Sequence, residues 1–429
     1  MKNQKADVLG SLASRRKPAR QQGRASPWEK RLLQHFLRII GEPPIRITLW
    51  DDTTLQPPHC EPRTTVIIHD RNALWRVLIN PIIGFGDQYA VGRIEVEGEL
   101  TALMATLLQA REPYNKRSLL EKIHIDGLRR LQKNTLSRSR HNIHHHYDIG
   151  NDFYRLWLDK AMIYTCAYFP DPNMTLEAAQ IAKMEHVCRK LRLQPGERVV
   201  EAGCGWGGFA LHMARQYGVT VKAYNVSHEQ ILAARQQAIA EGLESRVEFI
   251  EDDYRNIQGE CDVFISVGML EHVGLANYKA LGNVIDRVLT PTGRGLIHSI
   301  GQNQPQPMTG WIEKRIFPGA YPPTLRQMTA IFEPYKFAVQ DVENLRPHYA
   351  KTCEHWLARF EDHVDQIETM FDRQFVRMWR LYLSCAIAGF SVGVLQLYQV
   401  VFTRPADHNV PWSRAFMYPA SDKADHGTP

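Results

Sequence analysis

Short apolar runs alternate with helix-like stretches from about residue 144 to residue 402. Five such runs are RVVEAG, VTVKAYNVS, VEFIEDD, CDVFISVG and RGLIHSIG, and the stretches GGFALHMARQYG and HEQILAARQQAIAEGL separate the earlier ones. Strands that alternate with helices are typical of a parallel sheet covered by helices on both faces. The pattern therefore predicts an α/β domain over residues 144–404.

The chain before this domain has a different pattern. Strand-like runs (IRITLW, TTVIIHD and GRIEVEG) and one helix-like run (ELTALMATLLQA) predict a smaller α+β domain over residues 28–135. We expect a disordered basic tail over residues 1–27, a polar linker over residues 136–143 and an irregular C-terminal tail over residues 405–429. A length of 429 residues allows about two or three domains.

One uncharged segment, Leu383–Phe402, is long enough to span a bilayer. However, it contains Ser384, Ser391, Gln396 and Gln399, and its second half, VLQLYQVVF, alternates like a strand. We predict a buried helix followed by a buried strand, and not a transmembrane helix.

The net charge of +6 is concentrated at the N-terminus, where the first forty residues hold ten Lys or Arg and two acidic residues. This predicts attraction to an anionic surface, with lipid headgroups favoured over nucleic acid; an inert solubilising tail is the alternative. The seven cysteines include no C-x-x-C pair, so we expect neither a metal site nor a disulfide framework. With no signal peptide pattern, a cytoplasmic protein is expected.

The stretch VVEAGCGWGGFALHMA contains a candidate nucleotide site. Gly203, Gly205 and Gly208 match G-x-G-x-x-G, which is typical of dinucleotide binding. An NAD site needs an acidic residue at the end of the next strand, but that strand ends at Asn225. Glu201 would also repel a pyrophosphate, whereas it suits a cationic ligand.

S-adenosylmethionine (SAM) is such a ligand, because its sulfonium and amino groups are positive and it has no phosphate. Asn225 and Gln230 can reach its ribose hydroxyls or its carboxylate. Asp253 is placed to accept a hydrogen bond from the adenine amino group, and Tyr254 can lie against the adenine ring. These residues favour SAM over NAD.

Further motifs are HHYDIGNDFYRLWLD, MIYTCAYF, SVGMLEHVG, IHSIG, WIEKRIFPGAYPPT, HYAKT and LSCAIAGF. Together they closely resemble the cyclopropane fatty acid synthase family, which includes the mycolic acid cyclopropane synthases, over about residues 144–404. The resemblance implies the Rossmann-like α/β sandwich of SAM-dependent methyltransferases. It also implies transfer of a methylene unit from SAM to the cis double bond of an acyl chain in a membrane phospholipid. The segment GFGDQYAVGRIEVEGELTALMATLL also resembles lipid-binding sterol-carrier folds.

The resemblance assigns roles to individual residues. It implies SAM contacts at Tyr164, Thr165, Gly203, Cys204, Gly205, Asn225, Gln230, Tyr254 and Arg255. It implies a bicarbonate ion, acting as the base, held by Cys166, Glu271, His298, the backbone of Ile300 and Tyr349. Cys385 falls on a cysteine that is often marked as active in the family, but a mid-helix position among small apolar residues favours a packing role. A homodimer that lies peripherally on the inner face of the membrane is expected.

The chemistry needs a methyl group held in line with the alkene, exclusion of water, and a base that removes a proton from the new methyl group. Aromatic faces can steady the cation, with Tyr168, Phe169 and Trp311 as candidates. The run WIEKRIFPGAYPP is either a lid, with Lys314 and Arg315 near a phosphate, or a surface helix followed by a turn. Two alternative functions stay open: methylene or methyl-branched products, and a non-catalytic lipid-binding protein.

Overall fold

A computed structural model describes residues 23–58, 61–110 and 149–418 of the chain. The strands are β1 (Ile45–Leu49), β2 (Thr54–Leu55), β3 (Thr64–Ile68), β4 (Ile94–Glu97), β5 (Arg198–Ala202), β6 (Thr220–Asn225), β7 (Val247–Glu251), β8 (Cys261–Val267), β9 (Leu289–Gly301), β10 (Ala338–Asn344) and β11 (Gln396–Thr403). The helices are α1 (Pro27–Ile39), α2 (Arg71–Ile79), α3 (Pro81–Ala90), α4 (Leu100–Ala110), α5 (Asn151–Arg155), α6 (Leu176–Lys190), α7 (Gly208–Tyr217), α8 (His228–Ala240), α9 (Leu270–Val273), α10 (Tyr278–Val288), α11 (Gly310–Arg315), α12 (Leu325–Phe332), α13 (Arg346–Asp362), α14 (Val364–Met370) and α15 (Arg373–Ser391).

The described residues form two compact units. The first unit contains the N-terminal part of the chain through residue 110, together with residues 309–316 and 356–394. The second contains residues 149–308, 317–355 and 395–418. The two later segments of the first unit lie inside the range that the sequence assigned to the catalytic domain, so a domain boundary drawn by sequence order does not match this grouping.

The first unit is built on a four-stranded sheet in the order β2-β1-β3-β4. The strand β1 pairs in parallel with β3 and antiparallel with β2, and its alternate residues Ile45, Ile47 and Leu49 are buried. The long helix α15 packs against α3 and α4 of the same unit. The predicted strands and helix of the small α+β domain are all present, and α1, α2, α3 and β2 are additional elements.

The N-terminal boundary of this unit lies earlier than the sequence predicted. Ser26 caps α1 through a capping box with Glu29, and Pro27 occupies the first turn. The backbone of Ala25 donates a hydrogen bond to Asp51 (2.8 Å), and Arg71 donates to the carbonyl of Arg24 (2.9 Å). The expectation of a disordered tail through residue 27 is therefore wrong for residues 23–27, and its first 22 residues lie outside the described chain.

The second unit is built on a seven-stranded sheet in the order β10-β11-β9-β8-β5-β6-β7. Strands β5 to β9 pair in parallel, while β11 pairs antiparallel with both β9 and β10. Separate apolar clusters pack on the two faces, with Val199 and Ile265 in one cluster and Val200 and Phe264 in the other. The predicted α/β fold, with helices on both faces of a largely parallel sheet, is confirmed.

The uncharged segment Leu383–Phe402 folds as the sequence predicted. Its first part completes α15, which ends at Ser391, and its second part forms most of β11, whose eight residues are all buried. Among the described residues, no helix is long and apolar enough to cross a membrane. Beyond residue 404, the described chain through residue 418 contains one 3₁₀ turn, Ala415–Met417, and no helix or strand.

Candidate active site

The glycine loop joins β5 to α7 through three residues with a left-handed backbone. The φ angles are +89° at Gly203, +54° at Gly205 and +82° at Gly207, a region that side chains other than glycine rarely adopt. A Cβ atom at Gly203 would lie 2.9 Å from Met269, and one at Gly207 would lie 2.5 Å from the Phe249 ring. The loop therefore keeps its backbone bare and closely packed at the carboxyl end of β5.

A cleft opens at the carboxyl ends of β5, β6, β7 and β8. Its lining residues are Gly203, Tyr224, Asn225, Val226, Asp252, Asp253, Tyr254, Met269, His272 and Val273. Ligands of open α/β sheets bind outside the carboxyl ends of the strands. The cleft holds the predicted SAM residues Gly203, Asn225, Asp253 and Tyr254, and His272 and Met269 are lining residues that the sequence analysis missed.

The polar groups around this cleft are connected to one another. The Asn225 amide donates to the carbonyl of Gly205 (3.2 Å) and to Gln230 Oε1 (2.7 Å). Asp253 Oδ1 accepts the backbone N–H of Arg255 (3.0 Å), and the Arg255 guanidinium lies 5.0 Å from the centre of the Tyr254 ring. The two groups are joined through Asp252, whose N–H donates to the Asn225 carbonyl (3.0 Å) and whose Oδ1 accepts the N–H of Asp253 (2.7 Å).

Glu201 is a buried carboxyl at the end of β5, two residues before the loop. It is 2% exposed, and its Oε2 has no hydrogen-bond partner among the described residues. Burial raises its pKa to about 8, while the nearby Lys183 ammonium opposes the shift. An orphaned acidic oxygen beside a bare glycine loop fits a cationic amino-acid group such as that of SAM.

The segment that contains Tyr164 and Thr165 is held by helix α6. The Gln180 side chain donates to the Thr165 carbonyl (2.9 Å), and Lys183 Nζ donates to the Thr165 hydroxyl (3.3 Å). A Cβ atom at Gly268 would lie 2.7 Å from the Thr165 methyl group, so Thr165 packs directly on the turn after β8. The Tyr164 ring contacts the ring of Trp157, with 5.3 Å between the centroids.

Glu271 is a second buried carboxyl, in the short helix α9 after β8. Its Oε1 accepts the backbone N–H of Ile300 (2.5 Å), and its Oε2 has no partner within the described part of the chain. Burial raises the pKa of Glu271 to about 7, and no cation opposes this shift. The backbone of Glu271 is fixed as well, because its carbonyl accepts the N–H of Tyr321 (2.8 Å).

His298 lies on β9 two residues before Ile300. Its Nδ1 lies 3.1 Å from the Gln399 amide nitrogen, so that Nε2 carries the proton. In the described chain Nε2 has no partner, and burial lowers the pKa of His298 to about 3. The neutral imidazole is therefore a donor with an unused proton. Gln399, which fixes this tautomer, was missed because a single polar residue in a buried strand does not by itself indicate a site.

Cys166 lies next to Thr352 on helix α13, the helix that also carries Tyr349. The Thr352 hydroxyl lies 4.0 Å from the Cys166 sulfur and accepts the N–H of Ala167 (3.0 Å). Tyr349 precedes Thr352 by three residues, nearly one helical turn, and is buried. Burial raises the pKa of the Cys166 thiol far above its ordinary value, so this sulfur stays protonated.

Other expected residues lie elsewhere. Cys385 lies on α15 in the first unit, whereas the other predicted catalytic and SAM residues all lie in the second. Burial raises the pKa of its thiol to about 12, so a nucleophilic thiolate is not favoured. Trp311 also belongs to the first unit, where its indole donates to Asp87 (3.1 Å), and Arg315 pairs with the same carboxylate (2.8 Å). Arg315 is therefore engaged by an acid and is not free for a phosphate.

Of the other two aromatic candidates, Tyr168 stacks on His186, with 4.3 Å between the ring centroids. Phe169 stacks on His355 at 5.5 Å. His348 lies near both rings, with centroid distances of 4.8 Å to Tyr168 and 6.4 Å to Phe169, so the two stacks form one row.

The motif HHYDIGN also predicts that His146, Tyr147, Asp148 and Asn151 shape the entrance to the SAM site. The first three lie outside the described residues, and Asn151 accepts a hydrogen bond from the Trp206 indole (2.7 Å).

Lys183 and Gln180 are site residues that the sequence analysis missed. Both lie on α6, which begins after the N-cap residue Thr175, and both are buried. Their spacing of three residues puts them on one face of the helix. Two polar residues on an otherwise buried helix face are the signal that could have identified them.

Comparison with known proteins places the chain in a family. A family model described as "Mycolic acid cyclopropane synthetase" matches residues 134–400, and one described as "Domain of unknown function" matches residues 32–118. A Pseudomonas putida protein named "Probable fatty acid methyltransferase" is 32% identical over 87% of this chain and 96% of its own length. The "Cyclopropane-fatty-acyl-phospholipid synthase" of Escherichia coli (strain K12) is 36% identical over 79% of this chain and 87% of its own.

A solved structure, mycolic acid cyclopropane synthase CmaA1 complexed with SAH and CTAB, superposes with a TM-score of 0.59 at 29% identity. The superposition covers 62% of this chain and 98% of that one. The sequence match, the strand order and the glycine-loop cleft all indicate the same family. The chain belongs to the mycolic acid cyclopropane synthetase family of SAM-dependent methyltransferases.

Proposed function

We propose that this protein transfers a methylene unit from SAM to the cis double bond of unsaturated acyl chains in membrane phospholipids, which forms cyclopropane fatty acids. The observations that support this most directly are at Glu271, which bonds the backbone of Ile300, and at His298, two residues before Ile300 on β9. Each is buried, and each has one side-chain polar atom without a partner in the described chain. An acceptor and a donor of this kind suit a small polar group that takes part in proton transfer.

SAM supplies the electrophilic methyl group when it is bound. The chain's residues hold its parts: the bare loop at Gly203 and Gly205 takes the amino-acid end, and Glu201 faces its positive charge. Asn225 and Gln230 hold the ribose or the carboxylate. Tyr254 and Asp253 hold the adenine. Glu271 and His298 are buried. Their burial keeps water away from the part of the site where the cation develops on the acyl chain.

We further propose that a bicarbonate ion is bound by Glu271, His298, Cys166, Tyr349 and the backbone of Ile300. The fit rests on the unpaired Oε2 of Glu271 and the unpaired Nε2 of His298. Bound bicarbonate would supply a base for the proton of the new methyl group. In this arrangement the O–H group of the ion donates a hydrogen bond to the Glu271 carboxylate, and the neutral His298 donates to a negative oxygen of the ion.

The test is proton NMR of the lipid product. Purified protein is incubated with SAM, bicarbonate and vesicles of a cis-unsaturated phospholipid, and the lipid is extracted. Upfield signals of ring protons are the expected result. Vinyl signals of an exocyclic methylene group, or a new methyl branch without ring signals, would instead support the second kind of product. If no one-carbon unit is transferred and SAM does not bind, the lipid-carrier alternative would replace the enzyme.

We also propose that the protein contacts the anionic inner surface of the membrane as a peripheral cytoplasmic protein. The N-terminal charges support this, as does the exposed face of α1, which presents Trp28, Arg31 and Arg38. Trp28 is 59% exposed, and indole rings favour the membrane interface. Each Lys or Arg near an anionic leaflet contributes about 1 kcal/mol at low salt.

Vesicle sedimentation tests this contact. We expect full-length protein with Arg15, Arg16, Lys17 and Arg20 changed to Gln to bind anionic vesicles more weakly, and a Trp28→Ser, Arg31→Gln variant to do so as well. Activity on detergent-dispersed lipid should be largely kept in both. Unchanged binding of the first variant at low salt would show that the tail is not the anchor. The expected homodimer stays a prediction, which sedimentation equilibrium checks.

A further inference from the structure

Gln399 is a buried polar residue that contacts a residue of the proposed bicarbonate site. It lies in the middle of β11, a strand whose eight residues are all buried, and its own exposure is 0%. In the sheet it lies directly opposite His298 on β9 and Glu343 on β10. Because directly opposed residues of antiparallel strands project from the same face of a sheet, the three side chains form one polar row.

The members of this row have different partners. The Glu343 carboxylate accepts a hydrogen bond from Lys190 (2.5 Å) and lies 2.7 Å from the His186 ring. The Gln399 amide nitrogen lies 3.1 Å from His298 Nδ1, whereas Gln399 Oε1 has no partner in the described part of the chain. A buried carbonyl oxygen without a partner is costly for stability. An apolar side chain of similar size would avoid this cost, so the contact with His298 explains why an amide is present here.

His298 needs such a contact because a neutral imidazole has a proton on only one of its ring nitrogens. Burial lowers the pKa of His298 to about 3; the Lys183 and Lys190 ammoniums add to this shift and Glu343 opposes it, so the ring is neutral near neutral pH. When Nδ1 accepts a hydrogen bond from Gln399, the proton is on Nε2. That nitrogen is buried and has no partner among the described residues, so its N–H is available to a ligand.

We propose that Gln399 determines which kind of ligand the bicarbonate site takes: it holds His298 in the Nε2–H form, so that the site offers a proton donor to a negative oxygen. The inference rests on the proposed bicarbonate site. Gln399 acts on the ion only through His298, as a positioning residue. If Nδ1 carried the proton instead, the Nε2 lone pair would repel a negative oxygen, and the site would favour a ligand that donates a hydrogen bond.

NMR of the ligand-free protein tests the tautomer without any reaction. In protein that contains isotope-labelled histidine, long-range proton–nitrogen correlations distinguish a protonated ring nitrogen from a bare one. The signals of His298 are those that are missing from the spectrum of His298→Asn. We expect His298 to be protonated at Nε2 in the unmodified protein. A proton on Nδ1 would overturn the inference, whatever the activity of any variant.

Gln399→Met removes the amide and nearly keeps the size of the side chain. We expect its spectrum to show both tautomers of His298. The bicarbonate concentration that gives half-maximal transfer from SAM should rise about tenfold or more, because a hydrogen bond to a charged group is weakened or lost. The SAM Kd should stay within twofold of the unmodified protein, since neither Gln399 nor His298 lines the cofactor cleft. A spectrum with only the Nε2–H form would show that Gln399 does not set the tautomer, and would overturn the inference.

Gln396→Met is the matched control. Gln396 is a second buried glutamine of β11, but its Oε1 accepts a hydrogen bond from Asn344 (2.8 Å). Its replacement should leave the His298 tautomer and the bicarbonate requirement as in the unmodified protein, even if stability falls. An unchanged requirement in Gln399→Met, or an equal rise in both variants, would overturn the inference. Transfer by the unmodified protein that does not depend on bicarbonate would instead overturn the proposed bicarbonate site, and the absence of any transfer would overturn the proposed function.

Discussion

Glu201 and Glu271 are two buried carboxyls in the same unit, and they differ in what faces them. In each of them Oε2 has no hydrogen-bond partner in the described chain, and burial raises the pKa of the carboxyl. Glu201 has a cation, Lys183, nearby. Glu271 instead accepts the backbone N–H of Ile300, and no cation of the described chain acts on it.

The difference separates the two halves of the proposed reaction. A buried carboxyl with an unpartnered oxygen suits a cationic ligand, because the positive charge of the ligand favours the ionised form of the carboxyl. A carboxyl with a pKa of about 7 and no nearby cation suits exchange of a proton or a strong hydrogen bond near neutral pH. This difference supports the proposal that Glu201 recognises the charge of the cofactor and that Glu271 orients the base.

The largest expected effect is on the Glu271 side. Glu271→Gln keeps the size of the side chain and an oxygen that accepts the N–H of Ile300. It has no second carboxylate oxygen to accept the hydrogen bond from the O–H group of a bicarbonate ion. We expect product formation to fall about a thousandfold, in the range typical of general acid–base groups. Steady-state transfer from radiolabelled SAM to phospholipid vesicles measures it, with Glu244→Gln, an exposed carboxyl of the same unit, as the control. A loss of less than tenfold would remove Glu271 from the proton-transfer step.

The pH dependence of stability should differ between Glu271→Gln and the unmodified protein. Because burial raises the pKa of Glu271 from its ordinary 4.5 to about 7, the folded state favours the protonated carboxyl. This contribution is present below pH 4.5 and is lost as the pH rises through 7. Glu271→Gln has no carboxyl to titrate and so does not lose this contribution. Between pH 5 and pH 8, the free energy of unfolding of the unmodified protein should therefore fall by up to about 3 kcal/mol more than that of the variant.

Urea unfolding of both proteins at the two pH values measures this gain. Glu244→Gln, at an exposed position, should follow the unmodified protein at both pH values. Parallel curves for all three proteins would mean that Glu271 is not held in a desolvated place, and the contrast with Glu201 would lose its basis.

The cofactor side is sharpened by the glycine loop. Gly207→Ala combines a φ of +82° with a Cβ only 2.5 Å from the Phe249 ring, whereas Gly242→Ala has a φ of +66° and open space. We expect about 2 kcal/mol of destabilisation in the first and about 1 kcal/mol in the second, because only the first adds a clash to the backbone cost. Thermal unfolding checks the difference, and SAM affinity should fall only in Gly207→Ala. Equal effects would show that the loop has room to relax.

The smallest effect is expected at Cys385, which lies in the other unit. Because burial keeps its thiol protonated, Cys385→Ala should leave product formation within twofold of the unmodified protein. Removal of one small, half-buried thiol should cost under about 1 kcal/mol of stability. The radiolabel assay and urea unfolding check the two quantities. A loss of activity at constant SAM affinity would return Cys385 to the catalytic residues.

Much of the second unit could be predicted because its signals are local. Apolar runs of strand length mark β5 to β9, and the glycines after β5 mark the loop. The helix-to-strand change near Ser391 could be inferred from alternating polar residues. The family motifs then supplied Glu271, His298 and Tyr349.

Other features depend on contacts between residues far apart in sequence. The grouping of residues 356–394 with the N-terminal sheet arises from packing of α15 on α3 and α4, which no local pattern encodes. Trp311 was expected beside the reacting carbons, but its indole bonds Asp87, more than two hundred residues earlier. Lys183 was missed because a lysine in a helix ordinarily predicts an exposed position.

The most direct test of the division between the two carboxyls is calorimetry of SAM binding to Glu201→Gln and Glu271→Gln side by side. We expect Glu201→Gln to lose about tenfold or more in affinity, while Glu271→Gln binds SAM within twofold of the unmodified protein. Loss of SAM affinity in Glu271→Gln to the same extent as in Glu201→Gln would contradict the separation of cofactor recognition from base orientation.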